Sequence, residues 1–182
     1  MRSSALIGSL ALAVMMSANV LAQFPTASKE HKILMEEVGK WDAEVTMFMG
    51  PEGPYDPPSK SKAQETNRMV GDFWLVSDFK GNFEGLPFAG HALFGYDAKK
   101  QRFVGTWVDS FTPTPMRMVG TYDEKTKTTT YKTSYTEMDG SAGKGKNVVV
   151  YGENKRVMTM YSAEPGTDNM IKVMEITYTK AK

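Results

Sequence analysis

The sequence GLPFAGHALFGYDAKKQRFVGTWVDS, residues 85–110, contains the strongest β-strand signals of this chain. Residues 88–96 and 102–110 are rich in aromatic and β-branched side chains, and residues 97–101 form a polar connection of the length that hairpins use. This pattern predicts two antiparallel strands joined by a short turn. Similar runs recur to the end of the chain, so the hairpin is the unit from which the rest is built.

Runs of the same kind predict about ten short strands in all. Outside the hairpin they span residues 40–49, 60–69, 73–79, 116–122, 128–137, 146–151, 156–162 and 170–179. Polar residues with turn chemistry separate them. Two further interruptions are expected, an irregular loop over the proline-rich residues 50–59 and a break at Gly81-Asn82.

Residues 27–39 predict one short helix ahead of the strands. His31, Leu34, Met35 and Val38 fall on one face of it. Because a helix of this length is unstable alone in water, we expect it to pack on the barrel, across an opening. Ten antiparallel strands without βαβ spacing favour an all-β, up-and-down barrel over a sandwich, since closure removes exposed edges. Ten strands also leave room for a cavity.

Residues 1–22 have the pattern of a signal peptide. Arg2 precedes an apolar run over residues 5–20, and small residues before Gln23 suit a signal peptidase. Cleavage would leave 182 − 22 = 160 residues, a single domain over 23–182. The chain is therefore predicted to be exported, to the periplasm or the exterior, with no membrane span after cleavage.

Charge and cysteine content exclude several classes of function. Without Arg2 the chain has 21 basic and 21 acidic residues, a net charge of zero that argues against nucleic acid as a partner. There is no cysteine, which excludes thiolate metal sites and cysteine nucleophiles. We expect a monomer or weak homo-oligomer whose partner is a small apolar or amphipathic molecule.

An ordered set of short motifs is similar to one known family. These are Gly39-Lys40-Trp41 after the helix, Gly85-x-Pro87-Phe88-x-Gly90, Gly95-Tyr96-Asp97 and Trp107-x-Asp109-Ser110. Together they resemble the bacterial domain of unknown function 1579 family over nearly all of the mature chain. The resemblance implies a calycin-like barrel of the lipocalin and fatty-acid-binding-protein type, in which Trp41 would plug one end. It implies no settled activity.

Trp107 and Asp109 lie two residues apart on a predicted strand and so share a face. If that face is the inner one, a buried carboxylate needs a partner, and Arg68 or protonation of Asp109 would supply it. The alternative is that Asp109 lies at the strand end and caps the following loop. The spacing leaves both interpretations open.

Methionines and one histidine raise the question of metal or haem. Met-x-Met pairs occur at 47/49, 116/118 and 158/160, and thioethers either fill a core or bind copper. His91 could ligate haem only by turning Phe88 and Phe94 outward, which forfeits about 1.5–3 kcal/mol of burial for each large side chain. We therefore predict neither metal nor cofactor. His31 is expected to be a packed histidine.

The sequence favours a binding module over an enzyme. The predicted ligand site is apolar, with a polar end oriented by charged groups; its residues are Trp41, Met47, Arg68, Trp107, Asp109 and Met118. The alternative is a small-molecule enzyme that uses Asp109 or Glu175 as acid or base, since Glu175 shares a strand face with Ile171 and Val173. No second matched catalytic group and no triad motif accompanies either carboxyl.

Overall fold

The computed structural model describes residues 25–50, 53–164 and 166–182 of the chain. The predicted signal peptide lies outside the described residues. Within them, one helix precedes ten strands: α1 (Lys29–Glu36), β1 (Gly39–Gly50), β2 (Gly53–Val70), β3 (Trp74–Phe83), β4 (Leu86–Asp97), β5 (Arg102–Asp109), β6 (Met116–Asp123), β7 (Thr128–Thr136), β8 (Ala142–Gly152), β9 (Lys155–Ala163) and β10 (Met170–Lys180). In these ranges no helix has the length and apolarity that a membrane crossing requires.

The ten strands form a closed antiparallel barrel. Each strand pairs with its neighbours in sequence, and β1 pairs with β10 as well as with β2. At this closing seam Trp41 lies opposite Lys180 and Met47 lies opposite Met174. Closure gives every strand two partners and removes the exposed edges of an open sheet. The predicted all-β, up-and-down barrel with one short helix is confirmed.

Alternation along the strands separates an apolar interior from a polar exterior. In β1 the side chains of Trp41, Ala43 and Val45 are buried, whereas Asp42 and Glu44 between them are exposed. This is the period-two pattern of a half-buried strand, and burial of the apolar face is the main favourable term in folding. The interior is where any small-molecule site must lie.

The barrel has two distinguishable ends. The start of β1 and the turns after β2, β4, β6 and β8 lie at one end, together with α1. There Leu34 of α1 is almost fully buried in a cluster with Leu75 and Phe103, so we call this the closed end. The last residues of β1, β3, β5, β7 and β9 lie at the other end, called the open end. The helix is shorter than predicted, and Val38 beyond it is exposed.

The two predicted interruptions are wrong. Strand β2 already begins at residue 53, and the residues between its pairings Met47–Ser59 and Met49–Pro54 bulge out without ending the strand. Proline is tolerated there because it is not required to donate to the ladder. Strand β3 continues through Gly81, which approaches Ala63 closely, and the turn falls at residues 84–85. Glycine therefore marks a close contact here rather than a break.

Candidate functional site

The barrel encloses a cavity of about 330 Å³. Most of its wall is aromatic, aliphatic or thioether, supplied by Phe79, Phe83, Phe88, Ala92, Phe94, Trp107, Phe111, Met116, Met118, Val149, Met158, Met160, Met174 and Ile176. Both the volume and the apolar lining are typical of small-molecule sites. The charged side chains that line the cavity lie at its two ends.

Aromatic rings surround the cavity at the open end. The Phe88 ring lies 4.8 Å from Phe83 and 5.1 Å from Phe111 between ring centroids, and it stacks on Trp107 at 6.3 Å. Phe111 belongs to the loop after β5 and is 49% exposed, yet it also lines the cavity. The cavity therefore reaches the surface between these rings.

Trp107 is held in the wall by a small residue on the neighbouring strand. A Cβ atom added at Gly90 would overlap the six-membered ring of Trp107. Ala92, on the same inner face of β4, lies directly opposite Trp107 in the β4–β5 ladder. The spacing Gly90-x-Ala92 thus provides the room in which the indole lies flat against the barrel wall.

Asp109 ends β5 at the open end and is fully hydrogen-bonded. One carboxylate oxygen, Oδ1, accepts hydrogen bonds from the backbone N–H groups of Phe111 and Thr112 and from the Thr112 hydroxyl, each at 2.9 Å. The other oxygen, Oδ2, accepts from the indole N–H of Trp107 at 2.8 Å. The capping interpretation is confirmed, and the carboxylate also fixes the orientation of the indole in the cavity wall.

A buried ion cluster lies at the closed end, and we call it the floor cluster: Glu37, Glu65 and Arg156. The Arg156 side chain is 4% exposed. Its Nη1 lies 3.0 Å from Glu37 Oε2, and its Nη2 donates to Glu65 Oε1. The guanidinium carbon lies 4.1 Å from the ring centroid of Tyr178 and 4.6 Å from that of Trp41. One cation is thus enclosed by two carboxylates and two aromatic faces.

Further hydrogen bonds hold the floor cluster to the helix and to β2. The Tyr151 hydroxyl donates to Glu37 Oε1 at 3.0 Å. The backbone carbonyl of Glu37 accepts from the Trp41 indole N–H at 2.8 Å and from Asn67 Nδ2 at 3.1 Å, and Asn67 Nδ2 also lies 2.7 Å from Glu65 Oε1. The residue that follows α1 therefore docks the helix on the barrel.

Burial shifts the pKa of several groups in the floor. The pKa of Glu37 is raised by desolvation, with Arg156 opposing and Glu65 reinforcing the shift. Desolvation would lower the pKa of Arg156, but the two carboxylates outweigh it and raise the pKa, so the guanidinium stays charged. Burial also raises the pKa of Tyr151 and Tyr178 well above the ordinary value, so both phenols are neutral.

Two predicted site residues lie outside the cavity, and their predicted placement is corrected. Arg68 is exposed on the outer face of β2, because Glu65 and Asn67 occupy the inner face, so no pair with Asp109 forms. Glu175 lies on the opposite face of β10 from the cavity-lining Met174, where it pairs with Lys172 at 2.7 Å. A register shift between residues 172 and 174 interrupts the alternation of β10, so Glu175 does not lie on the inner face as the sequence suggested.

Other predicted residues are inside the barrel. Trp107, Asp109 and Met118 line the cavity, whereas Trp41 and Met47 pack in the core beside it without lining it. The two histidines are elsewhere. His31 is buried in α1, where its Nδ1 accepts from the Ser28 backbone N–H at 3.0 Å. His91 faces outward, as the alternation of β4 indicated, and contacts Asp78 at 2.8 Å.

Sequence reasoning missed Arg156 and Glu37. Arg156 lies two residues before Met158, so the Met158-x-Met160 pattern already places it on the same face. That spacing could have identified it as the buried cation. Glu37 carries no comparable signal, since only the docking of α1 brings it to Arg156. Within the described part of the chain, no group of three or more carboxylates and imidazoles could hold a metal ion.

The chain is thus a closed ten-stranded barrel with an apolar interior cavity, closed at one end by a tryptophan, a helix and an ion cluster. It belongs to the family described as protein of unknown function (DUF1579), whose model matches residues 26–180. The family resemblance of the sequence motifs is confirmed.

Similarity to one solved structure supports the same fold. The chain is similar to the crystal structure of Rv2717c from M. tuberculosis, with a TM-score of 0.64 and 12% identity over 86% of this chain and 100% of that one. A redesigned β-barrel, b11L5F_LGL, matches with a TM-score of 0.41 and 12% identity over 84% and 95% of the two chains. No curated protein matches this chain.

Proposed function

We propose that this protein is a binding module that holds a small, largely apolar or amphipathic molecule in its barrel. The observation that carries the proposal is the cavity of about 330 Å³ with aromatic and thioether walls, which reaches the surface at the open end. A wall of this kind favours apolar ligands by burial, and the few charged groups at its ends orient them.

The methionines of the wall favour a site that adapts to its ligand. Met116, Met118, Met158, Met160 and Met174 all line the cavity. An unbranched thioether side chain changes rotamer at low cost and fills irregular gaps, so such a wall accepts ligands of varied shape. The same flexibility lets the side chains close part of the space when no ligand is bound.

We further propose that the protein works outside the cytoplasm as a monomer or weak homo-oligomer. The signal-peptide pattern of residues 1–22 supports export. Closure of the barrel supports a monomer, because no strand is left to pair with a second chain.

The arrangement of Asp109 favours binding over catalysis. Both of its oxygens accept hydrogen bonds from groups that hold the wall and the loop in place, and the capping loop occupies Oδ1 with three donors. Among the described residues that line the cavity there is no histidine or lysine to act as its acid or base partner. We therefore assign Asp109 the role of orienting Trp107.

Two substitutions test the proposal on one strand. Ala92→Met adds a side chain inside the cavity, whereas Leu93→Met, the matched control, changes the adjacent exposed position. Quenching of tryptophan fluorescence by the neutral probe N-phenylnaphthylamine should weaken roughly tenfold or more in Ala92→Met and stay unchanged in Leu93→Met. Native mass spectrometry of protein purified without denaturation should show a bound mass. Absence of both signals in the unchanged protein would refute the proposal.

A further inference from the structure

We propose that the ligand of this barrel carries a positively charged headgroup, so that it is a cationic amphiphile such as a primary amine with an apolar body. This inference rests on the proposed function and adds the chemical class of the ligand. Three observations carry it: the charge of the floor, an unpartnered acceptor beside the floor, and the charge of the loops around the open end.

The one cation of the floor cluster is already paired with two carboxylates. Arg156 is the single cation among the described residues that line the cavity, and it already contacts Glu37 and Glu65. Nη1 of Arg156 lacks a well-aligned hydrogen bond, but it lies 3.0 Å from Glu37 Oε2, so a carboxylate ligand that approached it would also approach Glu37. The ligand would thus be placed against two like charges, whereas an ammonium group would meet an excess of negative charge.

A buried acceptor beside the floor lacks a donor. Asn67 is 3% exposed and shares the inner face of β2 with Glu65. Its Nδ2 is used by Glu37 and Glu65, but its Oδ1 has no hydrogen-bond partner. Asn67 does not itself line the cavity, but an unpaired buried acceptor keeps its partial negative charge uncompensated and adds it to the charge of the floor carboxylates.

The loops of the open end carry charge of one sign. Their acidic residues are Asp56, Glu84, Glu137, Asp139, Glu164 and Asp168. In the described residues of the segments 50–59, 84–85, 110–115, 137–141 and 164–169 there is no lysine or arginine. Asp168 is paired with Lys144 of β8, and Glu84 accepts a hydrogen bond from the Tyr55 hydroxyl.

The turns of the closed end differ. They carry Lys99, Lys100, Lys125 and Lys127 among their exposed residues, together with a few acidic ones. A chain with no net charge after residue 22 is therefore negative where ligands enter. A cleft mouth of one sign raises the local concentration of the opposite charge and the association rate of ligands that carry it.

The inner wall is also compatible with passage of a cation. Phe88 and Trp107 stack beside the opening, and Phe79 lies 6.2 Å from Trp107 between ring centroids. Aromatic faces attract ammonium groups and accept alkyl chains equally well. A cationic amphiphile thus finds favourable contacts at the mouth, along the wall and at the floor.

The test uses three probes with the same chain, octylamine, octanol and octanoic acid, titrated into the purified full protein by calorimetry. We expect octylamine to bind roughly tenfold more tightly than octanol, and octanoic acid to bind most weakly. Equal binding of the amine and the alcohol, or a preference for the acid, overturns the inference while the proposed function stands. Binding of none of the three overturns both.

Charge variants test how the floor cluster and the acidic loops each contribute to the binding of octylamine. Glu65→Gln, with Glu37→Gln as a second variant if the first does not fold, should abolish the preference for octylamine over octanol. At the mouth, Glu137→Gln with Glu164→Gln should slow octylamine association severalfold and leave octanol unchanged. The matched control is Glu124→Gln with Glu153→Gln, the same charge change at the closed end. Equal slowing by both pairs would overturn steering by the mouth.

Discussion

At the scale of single residues, Arg156 is the group on which the closed end depends. Removal of a buried cation leaves its partners as uncompensated buried charges, which costs more than the intact pair contributes. Glu37 belongs to the segment after α1 and Glu65 to β2, so the guanidinium links the helix to two distant strands.

We predict that Arg156→Met destabilises the fold by about 3–5 kcal/mol, because Glu37 and Glu65 would remain buried without a counter-charge. Urea unfolding followed by tryptophan fluorescence measures this loss. Lys155→Met is the matched control, since Lys155 is exposed one position earlier on β9, and it should change the free energy of unfolding by less than about 0.5 kcal/mol. Comparable losses in the two variants would contradict the role of the floor cluster.

The pKa of Glu37 predicts a pH dependence of stability. Desolvation raises this pKa above its ordinary value of 4.5 in the folded state. Between the two pKa values the folded state binds more protons than the unfolded state, so the free energy of unfolding falls as pH rises through that window. Glu37→Gln removes the titrating group and should flatten this part of the curve.

Urea unfolding at a series of pH values measures the slope. Glu153→Gln, which changes an exposed carboxylate in the turn after β8, serves as the control and should keep the slope of the unchanged protein. The prediction fails if Glu37→Gln retains the decline of stability above pH 4.5, or if stability rises with pH in that range.

At the scale of elements, strands β4 and β5 together form one side of the cavity. Gly90 and Ala92 are the small residues of β4 on which Trp107 of β5 lies, and Asp109 fixes the indole N–H. Trp107 of β5 therefore fills the space that the small residues of β4 leave in this wall.

We predict that Gly90→Val displaces Trp107, because the added side chain would occupy the position of the indole ring. The expected cost is about 1–3 kcal/mol of overpacking, together with a shift of tryptophan emission toward longer wavelength. His91→Val changes the next residue, whose side chain faces outward, and should leave the emission unchanged. An unchanged spectrum in Gly90→Val would show that the indole does not depend on this glycine.

At the scale of the whole molecule, the two ends of the barrel differ, although the chain after residue 22 carries no net charge. One end is closed by α1, Trp41 and the floor cluster, and the other end opens between aromatic rings and acidic loops. A ligand of the proposed kind would therefore enter from one end, and the floor cluster lies at the other end of the cavity.

Export is the prediction that concerns the entire chain. Expressed with residues 1–22 in a bacterial host that has a signal peptidase, the secreted fraction should have an intact mass that begins at Gln23. Ala22→Asp places a charge at the cleavage position and should prevent processing, whereas Ser28→Asp, beyond that position, should not. A soluble cytoplasmic product that retains residue 1 would contradict export.

Local patterns in the sequence were sufficient to predict the strands and most of the turns. Alternation in β1 and β4 placed Trp41 and Phe88 inward and His91 outward, and the turn signals of the later strands defined nearly all their ends. Family motifs then indicated the barrel. These features could be predicted because period-two burial and turn chemistry involve residues that are neighbours in the chain.

The contacts between charged groups, in contrast, depend on the folded barrel. Arg68 and Glu65 lie three residues apart, yet one is exposed and the other pairs with Arg156, which is 91 residues away. Glu175 lies on the outer face, and not on the inner face as predicted, because a register shift interrupts β10. Such outcomes depend on barrel closure, strand register and helix docking, which bring distant residues together and leave little local signal. The cavity is their product, since its walls come from strands across the whole chain.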